Sequence, residues 1–193
     1  MKKMFLICAM ICAFGLFSQS LFAQHQTFMG VELGGNPELF KYEMKQRGFY
    51  ESNKEGYDCL YGKYLTVDCR LWVNEENNAV KEVVLNYRYE ENMSEARAKS
   101  LAEGVVMIIC KELQESNIKY FVVEDTYILG SSKGTVIRLE NGNYGIRADG
   151  SITNSKEGWM VFVSIRDMPN NPLFEHKLQQ EKEMSKTNNN KRK

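Results

Sequence analysis

Apolar and polar residues alternate over several long stretches of the chain, which is the pattern of strands in a sheet with one buried face. In residues 57–73 the odd positions are mostly apolar or aromatic, and the even positions are mostly polar. This run is long for a single strand, so we predict a bend or turn near Gly62. Further strands are predicted at residues 80–89, 118–129, 134–140, 144–148 and 159–166.

The segment from Gly30 to Phe49 carries the signals that start and end a helix. Asn36 is a suitable N-cap with Pro37 in the first turn, and Gly48 suits a left-handed C-terminal end. A glycine turn before a helix can also cradle phosphate. Because Pro37 has no N–H, Asn36 can cap the remaining donors and no basic residue precedes the helix, we interpret the segment as a structural corner.

A second helix is predicted from Ser94, its N-cap, to about Ser116. Gly104 inside this helix costs up to about 1 kcal/mol relative to alanine, and close packing against a sheet is the expected compensation. The apolar residues that recur at helical spacing are Ala98, Leu101, Val105, Ile108, Ile109 and Leu113.

A helix followed by strands therefore occurs twice along the chain. We predict a single α+β domain over residues 24–170, with a loosely defined first half (28–90) and second half (94–167). In this fold an antiparallel, curved sheet carries the two main helices on one face, and the halves would be two helix-plus-strands repeats.

The two ends of the chain differ from this domain in composition. Residues 1–23 are typical of a secretory signal peptide, with two lysines before an apolar run and cleavage expected near Ala23. No other apolar run approaches the roughly 20 residues that cross a bilayer. Residues 171–193 are predicted to form a weak helix and a disordered tail. We expect an exported protein, periplasmic or secreted, without a membrane span.

The balance of charge narrows the classes of partner. The 25 basic and 25 acidic residues balance, and without residues 1–23 the chain is slightly acidic, so nucleic acid is not an expected partner.

A hairpin centred on Tyr64 would place Cys59 opposite Cys69, as a disulfide requires, whereas a turn one residue earlier would not. This pairing stays open. Cys110 lies in an apolar helical run and is expected to be a buried, inert thiol.

Histidine is scarce, which limits the possible catalytic chemistry. The two histidines, His25 and His176, both fall outside the predicted sheet-and-helix core, so neither a histidine-dependent nucleophile nor a zinc site is expected. Two carboxylates alone can support glycoside hydrolysis. Surface charge is nevertheless the preferred interpretation of the candidate acids, and we predict no catalytic residue, metal or cofactor. These acids are Asp58, Asp68, Glu124, Asp125, Asp149 and Asp167.

Aromatic residues supply the candidates for binding. The chain has 10 tyrosines and 2 tryptophans, and most of the tyrosines are assigned to core packing. Tyr64 and Trp72 fall on the polar face of their predicted strand, where an aromatic ring could contact a glycan or a partner protein.

Several motifs resemble those of an uncharacterised family of small exported proteins from Bacteroidetes. The family opens with F-x-G-I-x-[IL]-x-G, followed by a helix that ends in K-G-F. Matching positions are Phe28, Gly30, Val31, Leu33, Gly35, Phe40, Met44, Gly48 and Phe49. The order of helix and strands is also similar, more distantly, to periplasmic inhibitors and to outer-membrane assembly factors of the SmpA-like type. This likeness implies protein binding across a sheet face.

The preferred function is a non-enzymatic binding or structural module of the cell envelope, with an envelope protein or glycan as its partner. The alternative is a hydrolase that uses paired carboxylates, for example on glycans.

Overall fold

The computed structural model describes residues 25–52, 58–87, 93–129, 132–150 and 158–168. The predicted signal peptide (1–23) and the predicted C-terminal segment (171–193) lie outside these ranges. The described residues form two helices and two antiparallel sheets.

The elements follow one another in two similar series. The first series is β1 (Thr27–Phe28), β2 (Val31–Glu32), α1 (Pro37–Gln46), β3 (Tyr50–Glu51), β4 (Leu60–Tyr64), β5 (Val67–Glu76) and β6 (Ala79–Tyr87). The second series is α2 (Glu95–Glu115), β7 (Phe121–Leu129), β8 (Ser132–Arg138), β9 (Gly142–Gly150) and β10 (Trp159–Asp167).

Eight strands form one sheet in the order β3-β4-β5-β6-β10-β9-β8-β7, and β1 pairs with β2 in a small separate sheet. Each half is therefore a helix followed by a meander of four strands. The two meanders join at the centre, where β6 pairs antiparallel with β10 and Leu85 lies opposite Val163. The predicted α+β class with an antiparallel sheet is confirmed.

The hydrophobic core lies between the large sheet and the two helices. The side chains that α1 and α2 contribute to this core are Phe40, Met44, Ala98, Val105, Ile109 and Leu113. These side chains share one cluster with the odd positions of the two central strands, which are Val83, Leu85, Tyr87, Val161, Val163 and Ile165. Because both helices bury their apolar stripes against the same strand face, they lie on one side of the sheet, as predicted.

The turn between β4 and β5 lies at Leu65 and Thr66, so the predicted turn near Gly62 is wrong. Both turn residues have positive φ, 53° and 67°, as the two-residue turns that match strand twist require. Tyr64 and Val67 pair across the turn. Since paired residues point to the same face, the even positions of β4 share a face with the odd positions of β5.

The ends of α1 form as predicted. The Asn36 side chain accepts hydrogen bonds from the N–H groups of Glu38 and Leu39, at 3.0 and 3.1 Å. At the other end Gly48 has a φ of +92°, and the Phe49 N–H donates to a carbonyl in the last turn. Asn36 therefore uses the amide groups that a phosphate would need, which supports the interpretation as a structural corner.

α2 begins at its predicted cap, because the Ser94 hydroxyl accepts a hydrogen bond from the Arg97 N–H at 3.3 Å. The predicted packing of Gly104 against the sheet is wrong. A Cβ at this position would meet no atom of the described sheet within 4 Å. Ile108, which was expected in the buried stripe, is 41% exposed. Both residues therefore belong to the outer surface of the helix.

β1 and β2 hold the start of the described chain against the end of β10. The buried Asp167 carboxylate accepts a hydrogen bond from the Gln26 N–H at 2.7 Å, and its other oxygen lies 2.6 Å from His25 Nδ1. The Gln26 side-chain amide donates to the Tyr144 hydroxyl at 2.9 Å. The His25 ring fills the space that a side chain on Gly34 would need. His25 and Asp167 therefore have structural contacts.

The disulfide that the sequence left open does not form. No disulfide joins Cys59, Cys69 and Cys110, and Gly62 rather than Cys59 lies opposite Cys69. The cause is the position of the turn, which is not centred on Tyr64. Burial raises the pKa of the Cys69 thiol to about 12. Cys110, expected to be buried, is half-buried.

Candidate functional site on the helix-free face of the sheet

The face of the large sheet opposite α1 and α2 carries the best candidate site among the described residues. We call it the helix-free face and define it by Trp72, Val84, Arg147, Met160 and Phe162. On their strands these side chains alternate with core residues, so the pleat directs them away from the helices. All five are partly exposed, and none belongs to the main core cluster.

Strand register decides which of these side chains are neighbours. Trp72 on β5 lies opposite Val84 on β6. In the adjacent row Asn86 on β6 lies opposite Phe162 on β10, and Phe162 lies opposite Arg147 on β9. The site therefore spans four adjacent strands, with contributions from both halves of the chain.

Arg147 and Phe162 form the most specific contact of this face. The guanidinium carbon of Arg147 lies 4.4 Å from the centroid of the Phe162 ring, in the range of a cation–π interaction. Arg147 also pairs with Asp149, at 2.7 Å between nitrogen and oxygen. Arg147 Nε and Asn86 Oδ1 are buried and have no hydrogen-bond partner in the described part of the chain. The face therefore has unused polar atoms beside an aromatic ring.

A polar network continues from this face toward the end of β10. The Glu82 carboxylate accepts a hydrogen bond from the Ser164 hydroxyl and another from the Asn74 side-chain amide, the latter at 3.1 Å. The Arg166 guanidinium lies 3.2 Å from the same carboxylate. Because both oxygens of Glu82 are bonded within the sheet, this carboxylate mainly connects β5, β6 and β10. An open pocket of about 380 Å³ adjoins the network, lined by Asn74, Glu76, Lys81, Glu82, Arg166, Asp167 and Met168.

The two residues predicted to bind lie on opposite faces of the sheet. Trp72 is on the helix-free face, as predicted. Tyr64 is on the core face, where its ring centroid lies 5.1 Å from that of Phe28, and burial raises the pKa of its hydroxyl. The predicted surface position of Tyr64 is wrong because the turn at Leu65 and Thr66 reverses which positions of β4 face the core. Tyr64 and Trp72 cannot form one site.

The candidate acids are spread over the described surface and interior. Asp68 and Asp149 form ion pairs with neighbouring basic side chains. Asp167 is buried in the contact with β1, and Glu124 and Asp125 are exposed on β7. In the described ranges, no group of three or more histidine, cysteine or acidic residues is placed to hold a metal ion. No specific observation favours the hydrolase alternative over binding.

Sequence reasoning did not single out Phe162, Met160 or Arg147. A usable signal exists in β10, where Met160 and Phe162 occupy the positions that alternate with the buried residues. A strand face open to solvent usually carries polar residues at such positions. Arg147 could not be found in this way, because its proximity to Phe162 depends on the register between β9 and β10.

Comparison of the chain with models of known protein families, with curated proteins and with solved structures gives no significant match. The likeness to an exported family of Bacteroidetes therefore stays a prediction. In the part of the chain that the structure describes, neither helix has the length and apolar character needed to cross a membrane.

Proposed function

We propose that the protein is an exported, non-enzymatic binding module that engages a protein partner of the cell envelope through the helix-free face. One observation carries the proposal: partly exposed aromatic and aliphatic side chains, Trp72, Val84, Met160 and Phe162, occupy a face that no described helix covers. An apolar centre of this kind within a polar rim is typical of protein–protein interfaces.

The charges around this centre favour a protein over the other partner classes. Arg147 and Asp149 lie on one side, and Glu82 and Arg166 on the other. A surface of mixed charge suits a partner that also carries both signs, whereas nucleic acid requires a basic surface. A glycan would need accessible polar groups in the middle of the platform, whereas the unpartnered polar atoms there, Asn86 Oδ1 and Arg147 Nε, are buried.

The location on a sheet also supports binding. The side chains stand on four hydrogen-bonded strands, and Phe162 is held in place by its contact with Arg147. A surface that is ordered before binding loses less conformational entropy when a partner docks. Aromatic and arginine residues in such positions supply most of the binding energy in many interfaces.

Site-specific photocrosslinking in the cells that make the protein tests the proposal. A benzophenone amino acid replaces Trp72 or Phe162, and as a control it replaces Leu39, which is 60% exposed on α1 on the other side of the sheet. We expect both helix-free positions to give an adduct with the same protein. Leu39 should not give this adduct.

A second variant makes the experiment specific. R147E removes the cation–π contact and reverses one charge of the face, so the adduct from position 72 should fall by about tenfold or more. The proposal is refuted if positions 72 and 162 give no protein adduct, or if Leu39 gives the same one. An adduct with a glycan would refute the choice of a protein partner.

A further inference from the structure

The surface of α2 that points away from the core has an apolar centre. Met107 is 72% exposed and Ile108 is 41% exposed. At 3.6 residues per turn, Met107 lies on the opposite side of the helix from Ala98, Val105 and Ile109, which are buried in the core. A large apolar side chain is therefore presented at the outermost line of the helix.

Gly104 lies one turn before Met107 on the same surface. A Cβ there would meet no atom of the described residues within 4 Å apart from its own helix backbone and its chain neighbours, so packing in the described part of the chain does not require a glycine. Glycine inside a helix nevertheless costs up to about 1 kcal/mol relative to alanine. The missing side chain leaves space beside Met107 for the close approach of another molecule.

Charged residues are arranged symmetrically along the helix about Met107. Glu103 lies one turn before it and Lys111 one turn after it, while Lys99 lies two turns before it and Glu115 two turns after it. All four side chains are exposed. Each of these four residues thus has an oppositely charged counterpart at the same distance on the other side of Met107, whereas Arg97 and Glu112 of the same helix have none.

This symmetry matches a second copy of the same helix in antiparallel orientation. With a two-fold axis at Met107, Lys111 of one copy lies at the level of Glu103 of the other, and Lys99 lies at the level of Glu115. A parallel pair would instead place each charge beside its own like charge, which is unfavourable. Two-fold symmetric dimers are the commonest protein assemblies.

We propose that the protein forms an antiparallel homodimer through α2, with Met107 on the two-fold axis, the space beside Gly104 occupied by the second helix and the Lys–Glu pairs on the flanks. The ion pairs that α2 makes within itself, Lys99–Glu95 and Lys111–Glu115 at 2.5 and 3.7 Å, are compatible with this arrangement because they lie along the helix surface. The contact area is limited to one helix, so the dimer is expected to be weak and concentration-dependent.

Sedimentation and light scattering of the purified chain over a range up to a few hundred micromolar give the first test. We expect a reversible monomer–dimer equilibrium that M107E weakens by about tenfold or more, because the substitution places two like charges on the axis. L39E is the matched control, since it removes another largely exposed apolar residue, from α1. A monomer throughout the range, or equal effects of M107E and L39E, overturns the proposal.

Charge exchange tests the orientation. E103K and K111E should each weaken the dimer, while E103K/K111E should restore it, because the double variant again places opposite charges at the same level. Failure of the double variant to recover dimerisation contradicts the antiparallel pairing.

Cysteine crosslinking gives an independent readout. M107C on the axis should form an intermolecular disulfide under mild oxidation. K99C should not, because eight residues at 1.5 Å each separate it from the axis and place the two cysteines roughly 24 Å apart. Crosslinking at both positions would indicate a parallel dimer, and crosslinking at neither would indicate that α2 is not the interface.

Discussion

At Gly134 the sheet leaves almost no room for a side chain. A Cβ at this position would collide with the backbone carbonyl of Ile146, and it would lie 2.7 Å from the Ile128 side chain and 2.9 Å from the Arg147 Cβ. Ile128 also lies where a side chain on Gly145 would be. The two glycines on β8 and β9 thus allow β7 to place Ile128 over them.

Gly134→Ala should therefore destabilise the fold. We expect a loss of about 1–3 kcal/mol in the free energy of unfolding, because a backbone atom would have to move. Urea denaturation of dilute protein measures the change. Gly104→Ala is the matched control and should stabilise by up to about 1 kcal/mol, since its new methyl group meets open space and alanine favours the helix. Equal changes for the two variants would contradict the packing described for Ile128.

Single residues also show which parts of the fold the sequence could predict and which it could not. Asn36, Pro37 and Gly48 determine the ends of α1 through local chemistry, and they could be recognised from the sequence. Leu65 and Thr66 adopt positive φ without being glycine or asparagine, so nothing in their identity signals the turn. The error in the position of Tyr64 follows from this one turn.

Among the elements, the small β1–β2 hairpin is joined to β10 through a single side chain. Asp167 accepts the Gln26 N–H and contacts His25, and it is the last residue of the central strand β10. The Leu33 N–H donates to the Gln26 carbonyl at 2.8 Å, which closes the hairpin. The carboxylate therefore joins the hairpin to β10, while the Gly34 N–H and the Gly35 carbonyl join it to Val80 of β6.

Asp167→Ala should lower the free energy of unfolding by about 2 kcal/mol, because the buried Gln26 N–H loses its acceptor. Amide hydrogen exchange at Leu33 should become faster than exchange in β6. Asp167→Asn keeps an oxygen acceptor for the Gln26 N–H, so it should retain much of the protection. If exchange at Leu33 is the same in all three proteins, Asp167 does not anchor the hairpin.

At the scale of the whole molecule, the described residues form two similar halves that share one sheet and one core. The sequence predicted the two halves, because each helix signal is followed by strand patterns. It could not predict that β6 pairs with β10, because the partners are far apart in the chain and no local residue specifies their register. The helix-free face depends on this pairing, which explains why only Trp72 of that face was predicted.

Because β6 and β10 join the halves, we expect the described domain to unfold in one cooperative transition. The two tryptophans report on different halves, Trp72 on β5 and Trp159 on β10. In each of the single-tryptophan variants W159F and W72F, fluorescence and circular dichroism should therefore give the same unfolding midpoint. Different midpoints for the two probes within one variant would show that the halves unfold separately.

The central position of β10 also affects how the chain reaches its folded state. β10 is the last of the described strands in sequence, yet it occupies an inner place beside β6, so the middle of the sheet is completed only after the chain up to Asp167 is available. Contacts between such distant segments slow folding. Until then β6 presents an unpaired edge with apolar side chains on one side, which is the kind of surface that drives aggregation of folding intermediates. The domain is therefore prone to aggregate before β10 docks at the centre of the sheet, and a chaperone would act there by shielding the open edge of β6.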